Sequence, residues 1–143
     1  MQPASWKHGI VVQRVFTKRL QGFQHLPYMQ RLKKAGLLTL ECRRLHADLI
    51  LCYKILRGLI ETTVNQFFIR DLNSITRGHE WKLKATRIPR LNVSHHFYSF
   101  RTINVWNTLK SETVCSNSIS SFKKLLYEEN LTAFLIIKYT VLN

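Results

Sequence analysis

Between Thr39 and Gly58 the chain repeats apolar residues at a spacing that only a helix places on one side. At 100° per residue, Leu45, Leu49, Cys52, Leu56 and Leu59 fall within about a quarter of the circumference, a stripe of the kind that faces a core. Arg43, Lys54 and Arg57 fall together on the opposite side. Thr39 suits the cap of this helix, Glu41 suits its first turn, and Gly58 suits its stop. Asp48, Tyr53, Ile50, Leu51 and Ile55 widen the stripe, so the helix is expected to be central and touched from several sides.

The neighbouring segments follow from the same spacing and from Gly9, Gly22, Gly36, Gly58 and Gly78, which punctuate it. A first helix fits Ile10 to Leu20, with Val12, Val15, Phe16 and Leu20 on one face and Arg14 and Lys18 on another. A short second helix opens at Pro27 and ends before Gly36, with Arg31, Lys33 and Lys34 on its exposed side. From Ile69 to Ser94 the pattern breaks up. Thr76-Arg77-Gly78-His79 reads as a turn, and Trp81, Leu83 and Ala85 alternate weakly as in a strand. Helical spacing returns from Phe97 to Leu109, where Tyr98, Val105, Trp106 and Leu109 gather. A last helix, capped by Ser118, Ser120 or Ser121, runs through Phe122, Leu125 and Leu126 to about Glu128.

The predicted fold is mainly α, a small helical domain of about five helices with one irregular segment near 76–94 that has room for a short strand. Residues 1–128 are expected to form that domain, and 129–143 an apolar, β-favouring tail of unclear structure. No internal repeat, low-complexity tract or linker divides the chain further. Its 143 residues, 45% of them hydrophobic, suffice for a packed core.

Charge narrows the function classes. There are 22 Lys and Arg against 8 Asp and Glu, a net +14. The excess is uneven: residues 1–60 hold 11 cations and 2 acids, residues 61–110 hold 8 and 3, and residues 111–143 hold 3 and 3. Such a field draws polyanions, and RNA or DNA is the expected partner, met in the first 110 residues. Cys42, Cys52 and Cys115 are too few and scattered for a disulfide framework, which points to a cytoplasmic or nuclear setting. No apolar run approaches the roughly 20 residues that span a bilayer, and the first residues carry no signal-peptide pattern, so no membrane partner is expected.

Catalytic patterns are missing from the residues. Asp48 and Asp71 are the only aspartates, isolated from each other, whereas two-metal phosphoryl transfer needs several converging carboxylates. Neither a P-loop, a dinucleotide-binding glycine fingerprint nor a Gly-x-Ser-x-Gly elbow occurs. His79-Glu80 has no second histidine at the metalloprotease spacing, and His95-His96 and the cysteines have no zinc-ligand spacing. The reading is therefore a protein without catalytic residues, metal or cofactor.

What remains is basic surface interleaved with aromatics. Arg14, Lys18, Arg31, Lys33, Lys34, Arg43, Arg44, Lys54 and Arg57 are the candidate phosphate contacts, each of which would add about −0.9 to the slope of log affinity against log salt on duplex DNA. The alternative for many of them is a solvated helix face. Arg77 and His79, on a turn beside Trp81, and Arg101 complete the candidate set. Trp81 suits either a stacking ring or a core plug, the latter being the more ordinary role, and Trp106 suits the core.

A series of blocks also resembles the region that follows the polymerase domain in LINE-type, jockey-like non-LTR retrotransposon reverse transcriptases. The blocks are Val12-Gln13-Arg14-Val15-Phe16-Thr17-Lys18-Arg19, then Tyr28 with Arg31-Leu32, Gly36-Leu37, and Thr39-Leu40-Glu41 before Arg43-Arg44. Asp48-Leu49, Tyr53-Lys54-Ile55-Leu56, Gly58 and Thr76-Arg77-Gly78-His79 follow. Phe97-Tyr98-Ser99-Phe100-Arg101, Asn104-Val105-Trp106-Asn107-Thr108-Leu109 and Ser118 through Phe122-Lys123 close the series, which spans about residues 11–127. Lys110 stands where that family often has proline, and the residues after about Tyr127 match nothing in it. The resemblance implies a parent that copies RNA into DNA at a nicked target, with this segment downstream of the polymerase aspartates and gripping template RNA or target DNA. The alternative to this leading reading is a second role, in which the helices buttress the polymerase part of the parent and the isolated fragment has no function of its own.

Overall fold

The computed structural model describes residues 5–73, 76–85 and 98–135, with the side chains of all but 5–8 and 65. The order is α1 (Ser5–Arg19), α2 (Tyr28–Lys34), α3 (Leu40–Leu56), β1 (Phe68–Arg70), β2 (Leu83–Ala85), α4 (Tyr98–Trp106), α5 (Ser111–Val114) and α6 (Ile119–Glu128). Single 3-10 turns lie at Val64–Gln66 and Thr132–Phe134. The strands pair antiparallel, Phe68 opposite Ala85 and Arg70 opposite Leu83. The protein is thus mainly helical with one small sheet.

Its contacts divide it into two compact units, Met1–Arg44 and Leu45–Asn143, a boundary inside the helix that the sequence marks as central.

In the first unit α2 packs on α1 through polar groups. Gln13 and Thr17 are buried on α1. Gln13 donates to the Leu38 carbonyl at 3.1 Å and accepts from the Tyr28 hydroxyl at 2.5 Å, and Thr17 bonds back to the Gln13 carbonyl. Val12, Val15 and Phe16, expected on the packed face, are instead exposed. The contact face is turned by roughly 100° from the apolar one, one residue's worth of rotation. The polar side chains prevail because each finds partners across the interface, which removes the desolvation cost that would otherwise keep them out. Gly36 ends α2 at φ +64, and the bonds Leu37 N to Leu32 O and Gly36 N to Lys33 O satisfy its last carbonyls.

The core of the second unit is built on α3. Leu45, Leu49, Cys52, Tyr53 and Ile55 are buried there, as are His46 and Asp48. Leu59, which the helical spacing assigned to the same stripe, is exposed, because Gly58 at φ +65 closes the helix and turns the chain away. Phe122 of α6 is fully buried and stacks on Tyr53 at 4.3 Å between ring centroids, while Trp106 of α4 lies 5.9 Å from Phe122. Ser118 caps α6 by accepting from the Ser121 amide at 3.1 Å, as its sequence suggests.

Three features were not legible beforehand. The strand β1 straddles the start of the stretch in which the periodicity breaks up at Ile69, and the one-turn helix α5 is too short to carry a periodic signal. The start of the apolar tail is packed: Leu131 and Leu135 are buried, and Glu129 accepts from the Thr113 hydroxyl at 2.7 Å. Residues 136–143 of that tail, Phe97, and the 86–94 portion of the irregular segment lie outside the described residues.

Candidate nucleic-acid interface

The first unit holds nine Lys and Arg and one acid, Glu41. Arg14, Lys18 and Arg19 on α1, Lys33 and Lys34 on α2, and Arg43 and Arg44 at the start of α3 are exposed. Their positions follow from local structure. Leu32 of α2 and Gln13 and Thr17 of α1 turn inward, which sends the cations between them outward. Two lie against rings: the Arg14 guanidinium stands 4.9 Å from the centre of Tyr28, and the Lys34 ammonium 4.8 Å from that of Phe23. Lys34 also donates to the Gly22 carbonyl at 3.1 Å.

Arg31 differs from its neighbours. It is only 7% exposed, and its fork donates to Thr17 Oγ1 at 3.2 Å, to the Leu26 carbonyl at 2.7 Å and to the Arg14 carbonyl at 3.3 Å. The acceptors are a hydroxyl and a carbonyl of α1 and a carbonyl of the loop that leads into α2, so one planar fork bonds both sides of the hairpin. Arg31 therefore holds the α1–α2 hairpin together and is not displayed toward a ligand.

Several candidates of the second unit are likewise engaged within the fold. Arg101 on α4 forms a two-pronged pair with Asp48 on α3, Nε to Oδ2 at 2.5 Å and an η nitrogen to Oδ1 at 2.9 Å, and hydrogen bonding to that carboxylate raises its pKa further. Tyr98 donates to the Asp48 carbonyl at 2.9 Å, and burial pushes its phenol far above the ordinary value, so it remains a donor. Arg57 reaches the Val114 and Ser116 carbonyls at 3.2 and 3.3 Å, the latter shared with the Tyr53 hydroxyl at 2.7 Å. Lys54 is half-buried and Arg77 exposed.

The turn expected to present His79 beside Trp81 turns its ring inward instead. His79 is 3% exposed, its Nε2 lies 2.9 Å from the Trp106 carbonyl, and burial lowers its pKa. Lys82, also buried, donates to the neighbouring Asn107 carbonyl, while Asn107 exchanges two side-chain bonds of 2.9 Å with the backbone of Leu83. The Trp106 indole closes the arrangement by donating to the Trp81 carbonyl at 2.9 Å. The Thr76-Arg77-Gly78-His79 and Asn104-Val105-Trp106-Asn107 segments are thus stitched to each other at the C-terminal end of α4.

Trp81 is half-buried, with the guanidinium of Arg70 4.1 Å and that of Arg57 4.7 Å from its ring centre. Arg70 escaped the sequence reading because β1 did. Arg19 was visible as a cation, but its place among Val12, Val15 and Phe16 gains meaning only from their exposure. Among the described residues no three His, Cys, Asp or Glu side chains come together as a metal site, and no helix is long and apolar enough to cross a membrane.

Comparison with protein-family models, with curated proteins and with solved structures yields no match.

Proposed function

We propose that the chain is a non-catalytic nucleic-acid-binding module whose first unit grips phosphates, and that it corresponds to the post-polymerase region of a non-LTR retrotransposon reverse transcriptase. One observation carries the first part: seven exposed cations on three helical segments of a 44-residue unit that contains a single acid. So dense a cationic surface destabilises itself unless counterions or a polyanion neutralise it, and release of those counterions drives binding to phosphates. The engaged cations support the same division of labour. Arg31, Arg57 and Arg101 are spent on carbonyls and a carboxylate, which leaves binding to the exposed set.

The likeness to the retrotransposon region rests on the order and spacing of its blocks along the chain. Within the second unit Asp48 pairs with Arg101 and His79 with the Trp106 carbonyl, and within the first Gln13 pairs with Tyr28. The second reading, in which the helices buttress a neighbouring polymerase part, fits the second unit, whose Arg57 and Arg101 are engaged within the fold.

The test is a titration of fluorescent RNA and DNA at several salt concentrations with the native chain and with a variant in which Arg14, Lys18, Arg19, Lys33, Arg43 and Arg44 are changed to glutamine. Submicromolar affinity with a steep salt slope, lost in a variant of unchanged circular dichroism, is the expected result. Weak binding equal in both proteins overturns it and leaves the buttress.

A further inference from the structure

The exposed face of α1 is not uniformly cationic. Val11, Val12, Val15 and Phe16 are 58, 62, 44 and 58% exposed, and with Arg19 they line one shallow groove of about 350 Å³. Around the helix Arg19 falls between Val12 and Val15, whereas Lys18 and Arg14 follow beyond Val11 at the edge of the strip. An apolar floor with a guanidinium set into it and two cations along one border is a poor place for a continuous row of phosphates, whose burial against valine and phenyl groups is costly.

Resting on the nucleic-acid reading above, we propose that this strip takes the unpaired bases of a single strand: bases lie on Val12 and Phe16 while Arg19, Lys18 and Arg14 hold the flanking phosphates. A base has an apolar π-face that stacks on a phenyl ring whatever its sequence, and its phosphates match the surrounding charge. A duplex offers no such face, because its bases are already stacked on each other and only phosphates and groove edges are presented. A second copy of the chain fits worse, since apposing two such helices would bring Arg14, Lys18 and Arg19 of each toward the other's.

Val12→Ser with Phe16→Ser alters two exposed side chains and leaves Gln13, Thr17 and Arg31 untouched. Binding is measured to a uridine 15-mer, to an abasic strand of equal length and to a 15-base-pair duplex, beside the six-glutamine variant. The expected result is about a tenfold loss on the uridine strand alone, with the salt slope, abasic and duplex affinities unchanged. Equal affinity of the double variant and the native chain for the uridine strand, with binding lost in the six-glutamine variant, overturns the base-stacking role while the phosphate-gripping module stands. Absence of native binding to every probe overturns both. Self-association of the native chain in sedimentation, abolished by the double serine change without effect on the uridine strand, reassigns the strip to a second copy.

Discussion

Asp48 and Arg101, 53 residues apart, face each other through two hydrogen bonds that join α3 to α4. Each side chain explains the other: an aspartate on a leucine-rich helix is affordable because a guanidinium meets it, and the arginine is thereby held within the fold. Asp48→Asn or Arg101→Gln is expected to lower stability by about 1–3 kcal/mol, since either leaves a charged, poorly hydrated partner. Urea denaturation of the single and double variants gives the coupling. Nucleic-acid affinity of the folded Arg101→Gln protein is expected to stay at the native value.

Arg31 and Lys33 are two residues apart on α2 and have opposite fates. Arg31→Lys keeps the charge but loses the fork that reaches three acceptors, at an expected cost of about 1–3 kcal/mol. Lys33→Gln, on the exposed side, is expected to change stability by less than about 0.5 kcal/mol and to weaken phosphate binding instead. Amide hydrogen exchange across α1 and α2 separates the two effects.

His46 and His79 are both buried with Nδ1 unpartnered among the described residues, so protonation places an N–H without an acceptor in the core. Burial lowers both pKa values; for His79 the Trp106 carbonyl opposes this and Lys82 adds to it. The unfolded chain then takes up protons first. The contribution to stability is complete above about pH 6.5 and declines as the pH falls from there through the folded pKa. Thermal midpoints measured from pH 7.5 to 5 are expected to fall, and His79→Gln to fall less steeply.

Gly36 at φ +64 has open space where a Cβ would stand, so Gly36→Ala meets no clash and reports backbone strain alone. A loss of about 1–2 kcal/mol is expected, and a smaller one for Gly36→Asn, which tolerates the left-handed region. Denaturant midpoints of the two variants check the order.

By itself the sequence determined the helices other than the one-turn α5 and the start of α1 at Ser5 ahead of Gly9, together with the Ser118 cap, the stops at Gly36 and Gly58 and the cationic surplus of the first unit, because 3.6-residue spacing, caps, stops and net charge are all local or additive properties. It also identified Trp106 and Leu49 as core, where apolar period and burial coincide. Tertiary structure alone decided which face of α1 packs and which cations remain on display. Gln13 and Thr17 displaced Val12 and Phe16 from the interface because their partners, Leu38, Tyr28 and Arg31, come from elsewhere in the chain. Arg31, Arg57 and Arg101 left the candidate surface for the same reason: a hydrogen-bond acceptor brought close by folding leaves no mark in the spacing of the residue that uses it.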